Sequence, residues 1–106
     1  MIICKEGVRF RDLWPEIYLI FGVIDDLFRR HGVQAVITSA QDSTHGANSL
    51  HYKGRALDLR TKHLSSNAAK RALVAELASL LGPDYDVILE NVGGLQEHLH
   101  VEYDPR

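Results

Sequence analysis

Ser49-Leu50-His51-Tyr52-Lys53-Gly54-Arg55-Ala56-Leu57-Asp58 is the stretch on which the fold turns. Its second half runs on into an alternating segment, Arg55-Ala-Leu-Asp-Leu-Arg-Thr61. As a strand, this segment puts Ala56, Asp58 and Arg60 on one face and Leu57 and Leu59 on the other. His51 ends a polar loop from Gln41 to Asn48, in which Gly46 and Asn48 mark irregular backbone. Gly54 permits a turn between loop and strand, and Ala56 leaves room over the face that Asp58 occupies. The layout brings an imidazole and a carboxylate to one point.

A second polar constellation lies near the C-terminal end, Glu97-His98-Leu99-His100. In a strand, His98 and His100 share a face because the side-chain period is two. Glu97 joins them only if the chain is still turning there, which Gly93-Gly94 makes plausible. Two imidazoles, one carboxylate and a water are a common donor set for catalytic zinc, whose fourth position stays open. Bound metal acidifies the water and polarises a carbonyl. A neighbouring glutamate can then relay the proton to a leaving amine. His51, Asp58, one histidine of the His98/His100 pair and Glu97 supply these parts.

The rest of the chain reads as a frame for these two motifs. A helix is expected over Asp12 to Arg30, with Leu13, Ile17, Ile20, Phe21, Ile24, Leu27 and Phe28 forming one apolar stripe. Asp12 suits its N-cap, Pro15 its first turn and Gly32 its stop. Gln34 to Thr38 reads as a short buried strand, and a second helix spans Ser66 to Leu81 before Gly82-Pro83. Tyr85 to Glu90 and His98 to Tyr103 read as a terminal hairpin, and the first ten residues as a short strand or arm. The expected class is α+β, with helices packed on a small, mostly antiparallel sheet.

Composition sets outer limits. The chain has 106 residues, 45% hydrophobic and 25% charged, which suits one globular domain over residues 1–106. This argues against a disordered, collagenous or coiled-coil chain. No apolar run approaches the roughly 20 residues of a membrane helix. A net charge of −2 gives no basic field for nucleic acid or anionic lipid. One cysteine forms no internal disulfide, and Cys4 reads as a small buried hydrophobe. Trp14, Phe21 and Phe28 read as core, and His31 and His63 as surface residues. The N-terminus shows no secretory signal, so synthesis in the cytoplasm is expected.

Ser49, His51, Gly54, Ala56 and Asp58 match an S-x-H-x-x-G-x-A-x-D pattern. With the later Glu97-His98-Leu99-His100, this resembles the bacterial and phage zinc D-alanyl-D-alanine carboxypeptidases and L-alanyl-D-glutamate endopeptidases, whose fold is shared with the Hedgehog signalling domain. The resemblance spans about residues 33 to 103. It implies that His51, Asp58 and His100 bind zinc, that Glu97 is the general base, and that His98 stands beside the metal, where it either helps to hold the transition state as a catalytic residue or supports the ligands from outside. It also implies that Ser49 orients the site by hydrogen bonding. The implied substrates are peptidoglycan stem peptides cut next to D-amino acids. An enzyme of this kind would be released to the cell wall or carried in a phage particle.

One departure stands out. Many relatives carry an arginine after the strand corresponding to Val36–Ser39, where it binds substrate and steadies the oxyanion. This chain has Asp42 there, and an acid cannot fill that role. Gln41, His45 and Arg60 are the candidate replacements for substrate binding. The departure also motivates a second expectation, a zinc-stabilised domain of the same fold that binds without hydrolysing. The sequence leaves open the bond cut and the oligomeric state.

Overall fold

The computed structural model describes residues 1–41, 50–51 and 53–105. Asp42, His45, Ser49 and Tyr52 lie outside them. The architecture is α+β. Five strands form one sheet: β1 (Ile3–Cys4), β2 (Val36–Ser39), β3 (Ala56–Leu59), β4 (Tyr85–Glu90) and β5 (His98–Tyr103). Their order is β1-β2-β3-β5-β4, and only the β1–β2 pair is parallel.

The two faces of the sheet differ in chemistry. Ile37, Leu57, Leu59, Leu99 and Val101 point to one side, fully buried among residues of the helices. The alternate positions Asp58, His98, His100 and Glu102 point to the other. Burying the apolar face in its correct register therefore presents the polar one as a set.

Helix α3 (Asn67–Leu81) matches the expectation closely. The hydroxyl of Ser66 accepts the Ala69 N–H at 3.0 Å as its N-cap, and Leu73 and Leu77 bury against the core.

The expected helix over Asp12–Arg30 is instead two pieces, α1 (Pro15–Tyr18) and α2 (Phe21–Arg30). Trp14, not Asp12, is the N-cap, with extended backbone (φ −64°, ψ 147°). The following proline disfavours the helical region for Trp14, so no helix starts before Pro15. Between the two, Ile20 N–H bonds to Ile17 O at 3.3 Å, a tightened turn. The stripe still holds, because Ile17, Ile20, Ile24, Leu27 and Phe28 are all buried.

Two minor expectations change. Cys4 is exposed on the edge strand β1. Trp14 is 39% exposed, under the Arg55 guanidinium at 4.7 Å and beside Tyr103.

Candidate metal centre

Three elements converge on the polar face. Antiparallel pairing sets Asp58 of β3 directly opposite His100 of β5. His51 reaches them from the turn before β3. That turn is fixed by Gly54, whose N–H bonds to His51 O at 3.1 Å and whose carbonyl accepts Trp14 N–H at 2.9 Å. On the other side, a bulge in β2 falls between Ile37, which pairs with Leu59, and Ser39, which pairs with Asp58. It re-aims the chain just before Ala40.

The result is a triangle of ligand atoms. His51 Nε2 lies 3.1 Å from Asp58 Oδ1 and 3.2 Å from His100 Nδ1, and His100 Nδ1 lies 3.0 Å from Asp58 Oδ1. A tetrahedral ion with bonds of about 2.0–2.1 Å needs ligands about 3.3 Å apart, so the donor set and its spacing fit zinc. The far nitrogens are tied as metal-binding histidines require. His51 Nδ1–H donates to Ala40 O at 2.8 Å, and His100 Nε2–H donates to Glu102 Oε1 at 2.8 Å. Each bond fixes the tautomer that turns a lone pair inward.

Electrostatics reinforce the triangle. Burial works to raise the Asp58 carboxyl, but when the inward nitrogens carry protons in place of an ion, the hydrogen bonds from His100 and His51 outweigh burial and hold it well below the usual carboxylate range. Burial works to lower His100, but its bonds to Asp58 and Glu102 lift it above the ordinary imidazole value. His51 is buried, while Asp58 and His100 keep partial exposure, so the triangle is reachable from one side.

The remaining sequence candidates divide. His98, Glu97 and Arg60 line a cleft of about 350 Å³, together with Lys5, Lys62, Ser39 and Thr38. Glu97 precedes the first residue of β5, on a chain still turning, but its carboxylate is not grouped with the triangle. It accepts from Thr61 Oγ1 at 2.5 Å, from Lys70 Nζ at 2.8 Å and from Gly93 N–H at 3.0 Å. Burial pushes Glu97 up, but Gly93, Lys70 and Thr61 together bring it down to about 2. Gln41 is not on the cleft wall. Its Oε1 accepts the backbone N–H groups of Arg11 (2.6 Å) and Asp12 (3.0 Å), which ties the N-terminal segment down. Ser49 and His45 lie outside the described residues.

The structure adds residues that the motifs did not name. Glu102 is visible in retrospect as the next same-face position after His100. Glu90, Lys70 and Thr61 belong to other elements and become neighbours only through pairing and packing.

Residues 23–100 match the family model of the Hedgehog amino-terminal signalling domain. No curated protein and no solved structure gives a significant match.

Proposed function

The chain belongs to the Hedgehog amino-terminal signalling domain family, and on that premise we propose that it is a zinc-dependent peptidase acting on peptidoglycan stem peptides next to D-amino acids. The observation that carries this reading is the His51–Asp58–His100 triangle, with both imidazoles oriented by outer acceptors. His51 Nε2, Asp58 Oδ1 and His100 Nδ1 would hold the ion. When bound, it supplies an acidified water and a polarised carbonyl.

The chain's own groups take the other parts. In this reading Glu97 takes the proton of the attacking water and returns it to the leaving amine, which requires its carboxylate to let go of Thr61, Lys70 and Gly93. His98 stands beside the triangle, its Nε2 3.7 Å from Asp58 Oδ1. Arg60, Lys5 and Lys62 give the cleft a positive wall and form no ion pair among the described residues. That wall suits a peptide bearing free carboxylates, as stem peptides do, and makes Arg60 the best placed substitute for the arginine that Asp42 replaces.

A second reading, a zinc-stabilised domain without hydrolysis, draws on the hold that Lys70, Thr61 and Gly93 keep on Glu97. Metal content of wild type beside His51→Ala, followed by mass spectrometry of digested peptidoglycan, decides between them. Zinc near one per chain, lost in the mutant, together with released stem peptides abolished by Glu97→Ala, supports the peptidase. Zinc without digestion supports the second reading. Absence of zinc removes both.

A further inference from the structure

The polar face carries one more histidine–carboxylate pair, and the proposed chemistry leaves its carboxylate unused. His98 on β5 and Glu90 on β4 are register partners, so their side chains leave the same face of the sheet. His98 Nε2 lies 2.9 Å from Glu90 Oε1, and Nδ1 lies 2.7 Å from the Gln96 carbonyl oxygen. Both ring nitrogens are thus engaged by oxygen partners, and Nε2 is held by Glu90 rather than by Asp58. Yet Nε2 is 3.7 Å from Asp58 Oδ1, little more than the spacing inside the ligand triangle.

Glu90, His98 and His100 also bring their ligand atoms within 4.8 Å of one another. They do not make a second site beside the first. His100 Nε2 is held by Glu102, so both groups draw on Nδ1, whose single lone pair serves one ion. His98 is instead a competitor for the fourth place around that ion.

We infer that Glu90 is a positioning residue that takes the Nε2–H of His98, keeps this ring out of the coordination sphere and so leaves the fourth position open. The inference rests on the reading that His51, Asp58 and His100 bind a metal. Without the Glu90 carboxylate, the ring keeps its Nδ1 contact with Gln96, and Nε2 loses the partner that holds it away from the ion. Three protein ligands and an open place are the pattern of catalytic zinc, and four protein ligands that of structural zinc. Glu90 thus decides which of the two this site is.

Cobalt(II) in place of zinc reports coordination through its visible spectrum, with azide as a small external ligand. In the wild type, azide shifts the bands because the fourth position accepts it. In Glu90→Ala the azide response weakens by about tenfold or more and cobalt binds more tightly, on the scale by which outer-shell residues tune metal sites. Glu90→Ala/His98→Ala recovers the azide response. Glu90 is part-exposed at the end of a strand, and Glu90→Thr removes the carboxylate with a better strand former, giving the same test if the alanine variant folds poorly. Wild-type azide affinity in both single variants overturns the inference and spares the metal site. So does a weakened response that the double variant fails to restore. A wild type that takes up no cobalt overturns the inference and the metal reading together.

Discussion

Glu97 illustrates how neighbours decide what a carboxylate does. Its three donors, Gly93, Lys70 and Thr61, bring the folded-state value to about 2 against an ordinary 4.5. Between those limits the unfolded chain binds the extra proton. The contribution of Glu97 to stability is therefore complete above about 4.5 and is lost as the pH falls toward 2. A carboxylate held so low is a firm anion and a weak base. Lys70→Met deletes one cation and one donor, so the Glu97 carboxyl should titrate closer to its ordinary value when followed by carbon-detected NMR. If Glu97 works as the base, the acid limb of peptide hydrolysis in this variant moves to higher pH. An unmoved limb would assign the base elsewhere. The same logic applies to Glu102, whose bond to His100 Nε2 holds the Nδ1 lone pair inward. Glu102→Ala should weaken zinc about 10- to 100-fold in a chelator competition, and an unchanged affinity would mean that packing alone orients His100.

At the scale of elements, the site depends on where strands and turns meet. Gly54 has φ +74°, and a Cβ there would lie 2.2 Å from the backbone oxygen of Asp12. The turn that delivers His51 thus passes directly against the N-terminal segment, and only glycine fits. Gly54→Ala should cost on the order of 2–3 kcal/mol, combining a left-handed backbone with a backbone clash, and should weaken zinc through the displaced His51. Denaturant unfolding and metal titration of the same variant check both effects. Where element reading succeeded, the signal was local. Ser66 and Gly82 bracket α3, and the β4 and β5 boundaries fall where the pattern put them. It was less definite where the deciding contact was remote, leaving the first ten residues as a short strand or arm. The two-residue β1 exists only because Ile3 and Lys5 bond to β2 and the residue before it. The break before α2 reflects a tightened turn that keeps the same apolar stripe, which periodicity does not distinguish from a straight helix. The site divides in the same way. His51 and Asp58 are announced by their spacing and His100 over His98 by the family resemblance, whereas the partnership of Glu90 with His98 follows from strand register, and that of Lys70 with Glu97 from the packing of α3.

Over the whole molecule, the metal triangle is a cross-link between distant parts of a small fold. His51 and Asp58 are seven residues apart, but His100 is 42 beyond Asp58. The hydrophobic core occupies one face of the sheet, and among the described residues the opposite face has no comparable apolar cluster to hold β3, β5 and the His51 turn together. An ion bound to the folded state alone stabilises it by mass action, about 4 kcal/mol at a thousandfold excess over Kd. For a chain of 106 residues this corresponds to a rise in Tm on the order of 15 °C. Calorimetry with and without a strong chelator should show that difference in the wild type and lose it in His51→Ala, whose Tm should match the chelated protein more closely than the loaded one. Glu97→Ala should keep the chelator-sensitive increment, because Glu97 binds Thr61, Lys70 and Gly93 rather than the triangle. Should wild type hold zinc and yet melt at the same temperature after chelation, the three ligands would be shown to stand in place without it. The Ala40 and Glu102 acceptors, not the ion, would then be what assembles the site.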